Sequence, residues 1–391
     1  MDPTYVIRAS GETDQRICVA VDAMGGDYGP AEVVPGALGW AREHPEDTVI
    51  LVGEEARIAP HIEGPLPGHV TIVPASELVT MDESPASAVR RKRDASISVA
   101  MRLVRSGRAD AVVSAGHTGA GVAAAILGLG RLRSVDRPAL AIQVVSDRGP
   151  FVLLDIGATT DSTGLNLAQY AHMGAIYAER VFGVASPSVA LLSIGEEAGK
   201  GEHRIQEASA LLAGGPLNFV GNVEGKDLPR HLADVVVCDA TVGNVVMKFF
   251  EGVAQFILDE FRKEFKRPPW GPIGYLFMRP GIGRIRRRFD YESFGGAVLL
   301  GVNGNVIITH GRAKQRMIGY AVGVAAAAAR ARVPLLIGDA LGSGRGPARG
   351  AAEPKAVPGD ETRRGQGEAY DGGPESAPAV TGSAGDSGAQ A

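Results

Sequence analysis

Residues 19–30 read Val-Ala-Val-Asp-Ala-Met-Gly-Gly-Asp-Tyr-Gly-Pro. An apolar run ends in Asp22, three glycines follow at 25, 26 and 29, and Pro30 stands where a helix would open. Proline suits a first helical position because its missing N–H would be unpaired there anyway. Glycines let the backbone approach a ligand closely, and N–H groups at a helix start attract anions. Such a strand–loop–helix unit can hold a phosphate or an oxyanion; the plain alternative is a tight turn. The pattern recurs at Ser114–Gly119, Asp155–Gly157, Ile194–Gly201 and Cys238–Asn244. In an open parallel sheet the loops after the strands gather along one edge, where ligands bind. Gly25, Gly26, Gly116, Thr118, Gly119, Gly243 and Asn244 are therefore expected to share one site.

Competing motifs fail on detail. Gly116-His117-Thr118-Gly119-Ala120-Gly121 lacks the dinucleotide glycine spacing, so a nicotinamide enzyme is a distant reading. Gly195 to Gly201 is one residue short of a P-loop and has glycine where Ser or Thr would hold magnesium. No G-x-S-x-G elbow offers an acyl-serine, and no histidine pair has metal-ligand spacing on a helix face. No metal and no cofactor are expected.

The elements that must position these loops are short apolar runs alternating with helical patterns. Strands are expected at Ile17–Asp22, Thr48–Gly53, Val70–Val73, Ala111–Ser114, Ala139–Val145 and Phe151–Asp155, then at Val189–Ile194, Asn218–Val220 and Asp234–Cys238. Ala297–Leu300 and Asn305–Thr309 read as a pair across Asn303-Gly304. Helices are expected at Thr118–Arg131, Gly164–Phe182 and Glu202–Leu212. Runs apolar on both faces between helices predict a three-layer α/β/α sandwich around a mostly parallel sheet. The expected organisation is a loose leader over 1–16, a domain over 17–340 with an amphipathic helical excursion at 245–290, and a disordered tail over 341–391. A net charge of −4 gives no basic field for nucleic acid. Two cysteines, Cys18 and Cys238, form no disulfide framework and suit a reducing cytoplasm. No secretory signal or run of about 18 uninterrupted apolar residues is present.

The opening run resembles that of the bacterial phosphate acyltransferase (PlsX) family. Further segments resemble it in order: Ser84–Arg93, Ser114–Ala120, Leu154–Ala158, Phe219–Glu224, Val235–Asp239 with Gly243–Val245, and Phe294–Ala297. The likeness spans residues 17–335 and implies a Rossmann-like fold similar to phosphotransacylases and isopropylmalate dehydrogenase-like enzymes. It implies transfer of a long-chain acyl group from acyl carrier protein to inorganic phosphate, for phospholipid synthesis. It also implies a cytoplasmic homodimer in peripheral contact with the membrane and with a downstream membrane acyltransferase. His117 replaces the family's usual Asn. Asp155-Ile156-Gly157-Ala158-Thr159 and Asp239-Ala240-Thr241-Val242-Gly243-Asn244 also depart from the usual pattern, while Asp161 and Lys200 match it.

Acyl transfer to phosphate makes modest demands. A phosphate whose second pKa is about 6 is already anionic at neutral pH, and a thiol of pKa about 8.5 leaves readily. The protein must supply positioning and charge stabilisation, so direct attack without an acyl-enzyme is expected. His117 would donate to phosphate or protonate the sulfur, or else hold its own loop. Asp27 would bind a cation in the site or cap the following helix. Lys200 would neutralise phosphate or stay a surface lysine. Asp161 and Asn222 join the glycines as substrate contacts through the resemblance. Cys238, in a buried strand, is a poor nucleophile candidate.

Two basic surfaces stand out. Arg90, Arg91, Lys92 and Arg93 would dock the carrier protein or form a solvated helix face. Arg284, Arg286, Arg287 and Arg288 lie among Trp270, Tyr275, Leu276, Phe277, Met278, Ile282 and Ile285. That mixture suits an anionic membrane surface, a dimer or carrier interface, or a helix pair packed in its own core. The rival functions are a short-chain, CoA-dependent phosphotransacylase and a non-catalytic scaffold for carrier and membrane.

Overall fold

The computed structural model describes residues 15–80, 82–288 and 290–343. The expected leader and tail lie outside these residues, apart from Gln15, Arg16 and Leu341 to Ser343. Arg16 is pinned by its Nε donating to the Glu46 carbonyl at 2.7 Å.

Eleven strands form one sheet: β1 (Cys18–Asp22), β2 (Thr48–Gly53), β3 (Val70–Pro74), β4 (Ala111–Ser114), β5 (Ala139–Ser146), β6 (Gly149–Leu154), β7 (Ser188–Leu192), β8 (Asn218–Val223), β9 (Val235–Val237), β10 (Ala297–Leu300) and β11 (Asn305–Ile308). The helices are α1 (Pro30–Glu43), α2 (Glu55–Ile58), α3 (Pro85–Arg91), α4 (Ser96–Arg105), α5 (Thr118–Gly128), α6 (Gly164–Phe182), α7 (His203–Leu212), α8 (Ala240–Phe265), α9 (Trp270–Arg288), α10 (Gln315–Arg330) and α11 (Val333–Gly342). Alternation along the strands sorts the two faces. Val19 and Val21 of β1 belong to the core layer that holds α1, α6 and α10, while Ala20 between them belongs to the layer that holds α4 and α5. The result is the expected three-layer sandwich. β7 stops at Leu192, and Ile194 belongs to the following loop, 83% exposed.

The sheet order is β3-β2-β1-β4-β11-β10-β5-β6-β9-β7-β8. β3, β2, β1, β4 and β11 run parallel. Three antiparallel pairings follow, β11 with β10, β10 with β5 and β5 with β6. After three reversals, β6, β9, β7 and β8 are parallel among themselves but opposite in sense to β1. The sheet is mostly parallel, yet built from two half-sheets running opposite ways. The carboxyl ends of β1, β4 and β11 therefore lie on one edge, and those of β6, β7, β8 and β9 on the other.

The helical excursion is a hairpin of α8 and α9. Asp239 caps α8, its Oδ1 accepting from Thr241 N (3.0 Å) and Val242 N (3.1 Å). Phe265 and Tyr275 meet across the hairpin with ring centroids 5.5 Å apart. No described residue of α9 is buried, and Phe249 and Phe277 are 71% and 80% exposed. This corrects the reading of the pair as part of its own core: two lone helices leave most of their apolar surface uncovered. No single described helix is long and apolar enough to cross a membrane.

Candidate active site

At the edge formed by β1, β4 and β11, three loops touch. The β1 loop carries Gly25, Gly26 and Asp27; the β4 loop carries Gly116, His117, Thr118 and Gly119; the β11 loop carries His310, Gly311 and Arg312. Asp22, buried at the end of β1, accepts from Ser114 Oγ at 2.7 Å, and Ser114 Oγ accepts from the Gly116 amide at 3.1 Å. A Cβ at Gly25 would lie 2.9 Å from Asp22 Oδ2 and 2.9 Å from the Gly116 nitrogen, so only glycine lets the first two loops meet. Gly26, at φ +92°, would place a Cβ 3.1 Å from the Gly311 carbonyl. The Asp27 amide donates to that carbonyl at 2.8 Å. Burial pushes the Asp22 pKa up, and hydrogen bonds such as that from Ser114 pull it back.

The helix starts at this edge leave amides free for an anion. α5 is capped by the His117 ring, whose Nδ1 accepts from the Gly119 amide at 3.0 Å. That bond fixes the tautomer with its proton on Nε2. Thr118, exposed, is the first residue of α5. α1 follows Gly29 with no side-chain cap, so Asp27 does not cap it; that alternative fails because the Asp27 side chain is exposed and bonds no described residue. The amides of Gly26, His117 and Thr118 also find no acceptor among the described residues.

The opposite edge is already occupied. Asp155 accepts from the amides of Leu140 (2.9 Å), Gly157 (3.0 Å), Ala158 (2.9 Å) and Thr159 (2.8 Å). Asp239 takes the first amides of α8 and stands 3.6 Å from Arg204. Carboxylates of the chain itself thus fill the places an external anion would take. Gly243 is buried, and a Cβ there would run into the Asp155 carbonyl, while Asn244 Nδ2 donates to the Ile156 carbonyl at 3.2 Å. Both clamp the loop to α8. Asn222 is buried with Nδ2 donating to the Glu197 carbonyl at 3.0 Å, and Lys200 is exposed on the same glycine loop. Asp161 forms a surface pair with Arg137 at 3.3 Å. The expectation of a single pocket is therefore corrected. Gly25, Gly26, Asp27, Gly116, His117, Thr118 and Gly119 come together; Asp161, Lys200, Asn222, Gly243 and Asn244 lie apart from them, because the half-sheets run in opposite senses. Cys238 is buried, its thiol 3.5 Å from the Asp155 carbonyl, and burial raises its pKa well above the usual value.

The sequence pattern of the family described as "Fatty acid synthesis protein" matches residues 17–336. A phosphate acyltransferase from Heliobacterium modesticaldum is 48% identical over 311 residues, covering 78% of this chain and 92% of the relative. The chain belongs to the phosphate acyltransferase family. It is an acyltransferase. A phosphate acyltransferase from Brevibacillus brevis is 42% identical over 305 residues, covering 78% of this chain and 91% of that one. The fold is similar to that of a phosphotransacetylase from Streptococcus pyogenes, with TM-score 0.55 and 17% identity over 81% of this chain and 94% of that one. This is a likeness of fold.

Within this member of the family the basic groups separate into free and engaged. Lys92 donates to the Leu78 carbonyl (2.7 Å) and to Glu83 (2.5 Å), and Arg91 stands 3.5 Å from Glu83. Lys92 is therefore a clip behind α3, corrected from a docking residue, while Arg90 and Arg93 present exposed side chains. Arg288 is engaged as well, donating to the carbonyls of Ser146 (2.8 Å) and Asp147 (2.6 Å), so it anchors the hairpin to the β5–β6 turn. Arg284, Arg286 and Arg287 are exposed. Sequence reasoning put Asp22 and Ser114 at the strand ends of this edge without giving them a part in the site, and it missed the β11 loop. A His-Gly pair just past a strand was the available signal for the last; that β11 inserts beside β4 was not.

Proposed function

We propose that this enzyme moves a long-chain fatty acyl group reversibly from acyl carrier protein to inorganic phosphate, yielding an acyl phosphate for phospholipid synthesis. The observation that carries the reading is the uncapped start of α1 together with the unpaired Thr118 amide at the start of α5, beside touching glycine loops. Phosphate sits there with its negative charge facing helix amides and the His117 Nε2–H. One phosphate oxygen attacks the thioester carbonyl carbon, the carbon–sulfur bond breaks, and the sulfur leaves as thiolate and takes a proton from solvent or from a donor at the site. Amides at the same edge stabilise the oxyanion. No covalent enzyme intermediate forms. Arg90 on α3, the helix whose Pro85 abuts Gly119, and Arg93 just past its end are suited to the acidic carrier.

The exposed apolar hairpin with Arg284, Arg286 and Arg287 supports the further reading of a homodimer lying against the inner face of the cell membrane, where product passes to a membrane acyltransferase. The test is incubation with acyl carrier protein thioester and phosphate, then detection of acyl phosphate. Phosphate-dependent release of free carrier protein is expected. Turnover only with a short-chain acyl-CoA would make the chain a phosphotransacylase. Carrier binding without turnover would make it a scaffold.

A further inference from the structure

We infer that His310 is a second phosphate-binding residue, working beside His117. The inference rests on the reading that the β1–β4–β11 edge takes phosphate, and it adds a residue that neither the motifs nor the family resemblance singles out. β4 and β11 are parallel neighbours, with Ser114 opposite Ile308 and the Thr309 amide donating to the Ser114 carbonyl at 2.9 Å. His117 comes three residues after Ser114 and His310 two residues after Ile308, so both histidines leave from adjoining strand ends.

Their hydrogen bonding is the same. His117 Nδ1 accepts from the amide two residues on, Gly119, at 3.0 Å. His310 Nδ1 accepts from the amide two residues on, Arg312, at 3.1 Å. Each ring is thereby held as the tautomer that carries its proton on Nε2. Neither Nε2 meets an acceptor among the described residues, and His310 is exposed. The loop bearing His310 is tied into the glycine cluster through Gly311, whose carbonyl takes the Asp27 amide. Arg312 and Lys314 are exposed on the same loop and ion-pair with no described residue. Two fixed imidazole donors on neighbouring loops, with cations behind one of them, suit a tetrahedral dianion.

A histidine that only shapes its own turn would use Nδ1 alone. His310→Asn separates the roles, since an Asn side-chain oxygen also accepts from the amide two residues on. With the full chain, His310→Asn is expected to raise the KM for phosphate at least about tenfold, the scale of a lost hydrogen bond to a charged group. The KM for the acyl donor and the melting temperature should hardly move. His117→Asn with His310→Asn should cost less than the product of the single effects, because one phosphate is shared. An unchanged phosphate KM in His310→Asn overturns the proposal, as do effects that multiply independently. If His310→Asn loses cooperative melting, the unmodified protein labelled with 15N-histidine decides. The His310 Nε2–H resonance should shift on titration with phosphate while that of His69, whose Nε2 faces the Ala41 carbonyl at 2.8 Å, stays; no shift at His310 overturns the proposal. Wild-type protein that makes no acyl phosphate overturns the functional reading instead, a separate outcome.

Discussion

Asp22 shows how one buried side chain sets the site. Its carboxyl orients Ser114, Ser114 turns the Gly116 amide inward, and Gly25 packs on all three. Burial raises the Asp22 pKa, so the unfolded chain loses its proton at lower pH than the folded one. Stability is then lost as pH rises from about 4 toward the folded value, each pKa unit being worth about 1.4 kcal/mol. Asp22→Asn should accordingly melt above the wild type at pH 8, with the gap closing toward pH 4. Thermal melts across that range check it; a gap independent of pH would mean that Asp22 does not titrate. The importance of Asp22 was only half legible. The sequence marked it as a strand end, but not that Ser114, 92 residues away, would stand beside it.

Among the elements, the α8–α9 hairpin is the least covered. Its residues follow helical spacing, which is why the excursion was readable, and Pro268 and Pro269 break it where the chain turns back. What the spacing did not reveal is that the apolar face stays open. It also did not separate Arg288, bonded to the β5–β6 turn, from the exposed Arg284, Arg286 and Arg287. Changing those three exposed arginines to Glu, with Arg288 kept, should abolish flotation with anionic liposomes and leave acyl phosphate formation in detergent intact. Flotation equal to wild type would remove the membrane role of the cluster. Arginines on the helix that carries Trp270 and Phe277 are the physical reason to expect it: cations meet lipid headgroups while the rings enter the interface.

At the scale of the molecule, the reversal between half-sheets divides the glycine loops into two sets. One set leaves amides free at its helix starts, while the other is filled by Asp155 and Asp239. Phosphate should therefore slow amide exchange in 24–31, 114–121 and 309–314, and leave 155–161, 195–201 and 239–245 unchanged. Hydrogen exchange with and without phosphate distinguishes the edges; protection confined to the second set would move the anion site across the sheet and end the assignment made to His117.

Taken alone, the sequence determined the layered architecture, the family and nearly every strand, because apolar periodicity and glycine placement act over a few residues. Ala111–Ser114, Ala297–Leu300 and Gly164–Phe182 were bounded as they stand. Only the tertiary structure decided which loops are neighbours. The sense of a strand in its sheet depends on partners far along the chain. β11 enters beside β4, nearly 200 residues away, and β10, β5 and β6 reverse the direction of everything after them. That long-range pairing brings His310 to the glycine cluster and keeps Asn244 away from it.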